Sequence, residues 1–120
     1  MADKKILIII SQSGYGNSRA KEALDIALTL AAFEQEIALL MTGDAPFLLL
    51  KAQQPELIDQ KNIANSFAAL PMYDIDKVYI DQISLTTHHL TSDQMTIPYL
   101  ASNPQQMAQL IRESDVVLRF

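Results

Sequence analysis

The chain has 120 residues, 49% of them hydrophobic, with no cysteine and a formal net charge of −5 from 9 basic and 14 acidic side chains. That length fits one domain over residues 1–120, large enough for a core without disulfide or metal staples. Lack of a thiol excludes disulfides, zinc–thiolate centres and sulfur nucleophiles, and the scattered basic residues form no stripe for a phosphate backbone, so no direct nucleic-acid contact is expected.

In chain order, Lys5–Ile10 is a continuous β-branched run, the pattern of a strand covered on both faces in a parallel sheet. The run is too short for a signal peptide and no small-residue cleavage site follows it. No apolar run approaches the roughly 20 residues needed to cross a bilayer. A cytoplasmic protein without membrane contact is the expectation. Ser11–Ser18 is turn chemistry throughout. A helix then starts near Asn17 or Ser18, with Ala20, Ala23, Leu24, Ala27, Leu28 and Ala31 on one face. From Ile26 to Phe33 only Thr29 is polar, so the far half of this helix is apolar nearly all round.

Ile37–Met41 is a second strand, closed by Thr42-Gly43-Asp44. Asp44 is a good N-cap, and Pro46 falls in the first turn of a short helix that Gln53-Gln54-Pro55 breaks. Asn62–Leu70 has a helical pattern stopped by Pro71, and Lys77–Asp81 is a third strand. Ile83–Leu90 reads as a short helix, and Thr96–Leu100 as a weak strand, because Pro98 suits only an edge or a strand start. Asn103-Pro104-Gln105-Gln106 combines an N-cap, a first-turn proline and a glutamine at the third position, opening a helix through Met107, Leu110 and Ile111. Val116–Phe120 is the final strand. Strands alternating with helices predict a three-layer α/β/α sandwich on a mostly parallel sheet of about five strands.

Several constellations bear on function. The Ser11–Ser18 loop lies between the first strand and first helix, where α/β folds bind ligands. It matches neither the dinucleotide nor the P-loop fingerprint, since Arg19 stands where the former needs glycine or alanine and no Gly-Lys-Ser/Thr is present. A small flavodoxin-like phosphate or flavin binder is the alternative it leaves. His88 and His89 are adjacent, so they point apart and cannot clamp one metal as an i, i+4 pair would. No spacing ties Asp81 or Asp93 to them, and no Gly-x-Ser-x-Gly elbow presents a serine. No catalytic residue, metal site or cofactor is expected. Phe47-Leu48-Leu49-Leu50 would sweep about 300° around a helix axis, more than the chain's own sheet can cover. A subunit interface is the favoured reading, against a helix wedged between sheet and loop.

Taken together, Ser13-Gly14-Tyr15-Gly16, Lys21-Glu22-Ala23-Leu24-Asp25, Gly43-Asp44 with the Phe47–Leu50 run and Gln53-Gln54-Pro55, Met72-Tyr73-Asp74-Ile75-Asp76 and the ending Val116-Val117-Leu118-Arg119-Phe120 resemble the DsrE/DsrF-like family. Within it, the likeness is to the small subunits of TusBCD-type sulfur-relay complexes, and it spans essentially the whole chain in order. The resemblance implies a heterohexamer with TusB-like and TusD-like subunits. Such a complex takes persulfide sulfur from a TusA-like protein and passes it, through a TusE-like protein, toward 2-thiolation of the tRNA wobble uridine. It further implies that Asp81 occupies the position of the sulfur-carrying cysteine of the TusD-like relative. A carboxylate forms no persulfide, so a non-catalytic subunit is expected. A DsrF-type subunit of sulfur oxidation shares the same pattern.

Overall fold

The computed structural model describes residues 4–11, 19–50 and 66–120. Its centre is a five-stranded sheet in the order β4-β3-β2-β1-β5, every neighbouring pair parallel. The strands are β1 (Lys5–Ile10), β2 (Glu36–Met41), β3 (Lys77–Asp81), β4 (Leu100–Ser102) and β5 (Val116–Arg119). The helices lying wholly within the described residues are α1 (Arg19–Ala32), α2 (Gln82–Thr87) and α3 (Pro104–Glu113). This is the expected α/β architecture.

Alternation along β1 divides the sheet into two faces. Ile6, Ile8 and Ile10 meet Ala20, Ala23, Leu24 and Ala27 of α1 in the larger core. Leu7 and Ile9 point the other way, where Leu40 joins them and Met107, Leu110 and Ile111 of α3 pack over them. The small residues on α1 let that helix approach the sheet closely. Ile26, Leu28, Leu30 and Ala31 are half-buried against the same core, which absorbs much of the apolar surplus expected on the far half of α1.

Two local expectations resolve cleanly. The Asn103 side chain accepts from the Gln106 N–H at 2.8 Å while the Gln106 side chain accepts from the Asn103 N–H at 2.8 Å. Two otherwise unpaired donors at the start of α3 are thereby satisfied. Residues 66–68 are helical and that helix ends before Pro71, as expected, while Pro71 itself sits in the first turn of a 3₁₀ turn, Leu70–Tyr73. Its missing N–H costs nothing there. The proposed Gln53-Gln54-Pro55 break and the first part of the Asn62–Leu70 helix lie outside the described residues. No helix among the described residues is long and apolar enough to cross a membrane.

Candidate functional site

The carboxyl ends of the strands gather most of the residues singled out from the sequence. From β1 the chain adds β2, β3 and β4 on one side and then crosses back to place β5 on the other, so the topological switch point falls between β1 and β5. Ser11, just past β1, is held from three sides. Its N–H and its hydroxyl both donate to the Phe120 carbonyl at 3.1 Å, and its own carbonyl accepts from the Asp44 N–H at 3.3 Å. Gly43 lies against that carbonyl with φ +55°. The remainder of the Ser11–Ser18 loop, with the phosphate or flavin reading it raised, lies outside the described residues.

Asp81 ends β3 and caps α2. Its carboxylate accepts from the Ile83 N–H at 3.0 Å and from the Ser84 hydroxyl at 3.3 Å. Ser84 is buried beneath it, as is Ser102, the β4 residue registered beside Asp81. The carboxylate is therefore engaged by two donors of its own helix, and no cysteine stands anywhere in the chain.

His88 and His89 do point apart. His88 is half-buried, with Nε2 3.5 Å from the Asp44 carboxylate and its ring edge-on to Phe47 at a centroid distance of 4.7 Å. His89 is exposed, in the left-handed region at φ 53°. Asp93 receives the hydroxyl of Thr91 in a separate 3₁₀ turn. Among the described residues no three metal-ligating side chains converge. The contacts from Asp44 and Phe47 to His88 were not legible in the sequence, because more than forty positions separate the partners and neither carries a local signal.

The Phe47–Leu50 segment needs correction. Phe47–Leu49 lie in a 3₁₀ turn, Ala45–Leu49, with Leu50 extended just past it, and Leu48 and Leu49 are fully buried in the chain's own core. Asp44 precedes the turn without a side-chain capping bond. Only Phe47 and Leu50 are half-exposed. A 3₁₀ turn advances about 120° per residue, which directs two consecutive leucines inward and leaves their neighbours at the rim. The wedged arrangement therefore holds for Leu48 and Leu49, and the outward-facing one does not.

Across the sheet's amino edge, Lys77 Nζ donates to Glu36 Oε1 at 2.6 Å. The bond to Lys77 and its charge hold the Glu36 carboxyl below its ordinary value, and the bond to Glu36 holds Lys77 above its own. A carboxyl lowered in the folded state stabilises above its unfolded value and loses that contribution as pH falls through the folded value. A lysine raised in the folded state stabilises below its unfolded value and loses that contribution as pH rises through the raised one. Both side chains are well exposed, which keeps the effect small. Glu36→Gln is expected to lower Tm by no more than about 4 °C at pH 7. In thermal scans, that difference should vanish once pH drops below the folded value of Glu36.

Residues 4–120 match the model of the DsrE/DsrF-like family. The protein TusC homolog of Pseudomonas aeruginosa is 31% identical over 115 residues, covering 96% of this chain and 97% of that protein. The crystal structure of the ychN protein of E. coli superposes with a TM-score of 0.81 at 19% identity, over 99% of this chain and 100% of that one, which is a likeness of fold. With a five-stranded parallel sheet in this order and a family match across nearly its whole length, the chain belongs to the DsrE/DsrF-like family.

Proposed function

We propose that the chain is a non-catalytic, TusC-type subunit of a cytoplasmic sulfur-relay complex that supports 2-thiolation of the tRNA wobble uridine. In this reading it assembles with TusB-like and TusD-like subunits in a heterohexamer, which receives sulfur from a TusA-like protein and delivers it to a TusE-like one. The observation that carries the reading is Asp81. In this reading Asp81 takes the place of the family's sulfur-carrying cysteine, and its carboxylate is already committed to capping α2, in a chain without any thiol. A role for Asp81 in activating a partner's cysteine has the wrong sign, because a nearby carboxylate raises a thiol's pKa and disfavours the thiolate.

The test is a complex purified with its native partners and fed a labelled persulfide donor. Label should appear on a partner polypeptide and pass to tRNA in the presence of the downstream proteins, with none on this chain. Asp81→Asn keeps one acceptor oxygen, so it should cost about 1 kcal/mol of stability or less and leave transfer near the wild-type rate. Loss of transfer with assembly and melting intact would overturn the structural role. Flow of label in the opposite direction, out of a reduced sulfur pool toward oxidation, would place the chain with the DsrF-type subunits instead.

A further inference from the structure

The sheet's amino edge, opposite Asp81, carries a groove of about 470 Å³ at the starts of β2 and β3. Its apolar floor includes Ala31 and Ile75, and four carboxylates line it: Glu34, Glu36, Asp74 and Asp76. Lys77 is the one ammonium among the described lining residues, and it is bonded to Glu36. Lys5 adds its field at the margin of Glu36. The lining therefore keeps a surplus of negative charge.

Two loops flank this groove, and both present apolar side chains to water. Phe33 precedes Glu34 and is 71% exposed, while Met72 and Tyr73 precede Asp74 at 84% and 54%. These are three of the five large apolar side chains exposed among the described residues. They sit on neighbouring elements, since α1 packs against the 3₁₀ turn Leu70–Tyr73.

The placement of the acids works against local stability. Glu34 follows the last turn of α1 in the left-handed region at φ 63°, its N–H donating to the Ala31 carbonyl. That position favours glycine. It also faces the negative end of the helix dipole, and no basic residue lies in the last turn of α1. Asp74 repeats the arrangement at φ 64°, closing the turn after Tyr73. Aspartate adopts this region readily, so the cost falls on Glu34, held there against an unfavourable dipole. A cation seated there meets the carboxylates and the carboxyl end of α1 together. No three of these acids converge closely enough to hold a metal ion. A long cationic side chain with apolar neighbours fits both the charge and the three exposed side chains, and Tyr73, an aromatic that can attract a cation, lines the same groove.

We infer that the groove between Glu34–Glu36 and Tyr73–Asp76 docks a segment of a partner protein in which a lysine or arginine is flanked by apolar side chains. This surface is independent of Asp81 and of the direction of sulfur flow. The probe is p-benzoylphenylalanine installed in place of Met72 in the full chain, expressed with its native partners and photolysed in the native complex. The cross-linked peptide, sequenced by mass spectrometry, should come from a different protein and contain lysine or arginine within about four residues of an apolar one. Raising NaCl from 0.05 to 0.5 M during assembly should cut the yield about threefold or more, since the Debye length shrinks from beyond 10 Å to a few ångströms. Glu34→Lys combined with Asp74→Lys should cut it about tenfold at unchanged Tm. If that variant fails to fold, Glu34→Gln with Asp74→Asn serves the same comparison. A cross-link to a second copy of this chain, to a segment lacking a basic residue, or to nothing overturns the inference. So does a yield indifferent to both pairs of substitutions.

Discussion

Leu49→Asp is expected to unfold the chain rather than merely loosen an assembly. Leu49 is fully buried beside Leu48 in the core beneath the Ala45–Leu49 turn. Its own carbonyl accepts from both the N–H (2.7 Å) and the hydroxyl (3.0 Å) of Thr96, which fixes its backbone. Replacing it removes the burial of a full leucine side chain, about 2–5 kcal/mol by itself, and places a carboxylate in an apolar core. Together these reach or exceed about 5 kcal/mol, the low end of a small domain's total stability. Far-UV dichroism and a urea melt should show loss of the cooperative transition at 25 °C, with no rescue by co-expressed partners. Phe47→Asp, at the half-exposed rim of the same turn, should keep the transition and lower stability far less. A folded Leu49→Asp chain that fails only to assemble would show that Leu49 faces outward after all.

Gly43→Ala should be the second most damaging change, at about 2–4 kcal/mol. An added Cβ would stand 2.7 Å from the Ser11 carbonyl oxygen, a backbone atom that cannot swing aside, and φ is +55° besides. Ser11 is in turn pinned by Phe120 and by the Asp44 N–H, so relieving the contact strains the junction of β1, β2 and β5 at once. Gly43→Asn separates the two causes. Asparagine tolerates the left-handed region but still carries a Cβ. Equal losses of Tm for the two variants would assign the cost to the contact, and recovery in the asparagine variant would assign it to φ.

Which parts of the fold could be read from sequence follows from where the information sits. Lys5–Ile10 and Lys77–Asp81 have the boundaries their β-branched runs suggest, and the Asn103–Gln106 box lies within four residues. The strand expected over Thr96–Leu100 starts later, at Leu100–Ser102. Thr96 and Met95 are drawn instead to Leu49 and Leu50 through an isolated antiparallel bridge. Parallel pairing with β3 begins only beyond Pro98, which has no N–H to give. The helix expected over Ile83–Leu90 stops at Thr87, and the left-handed residue that turns the chain is His89, not the glycine a sequence reader looks for. Burial of Leu48 and Leu49 was hidden for a similar reason. Four apolar residues in a row do not say whether the turn they form has 3.6 residues or three.

The candidate site divides the same way. Asp81 as an N-cap is a local matter and could be foreseen from its place between strand and helix. The Asp44–His88 pair, the Gly43–Ser11 contact and the acidic groove of the amino edge join residues far apart in the chain. Only the topology brings these together.

The pairing of β1 with β5 has a consequence for synthesis. Ile6 lies beside Val116, and the Lys5 N–H donates to the Asp115 carboxylate across 110 positions of sequence. A nascent chain can pair β1 with β2 after the first third of translation, yet the other edge of its most apolar strand stays open until Val116–Arg119 has left the ribosome. Through that interval the edge is a template for any other extended segment. Stalled or prematurely ended products should accordingly be sticky and short-lived.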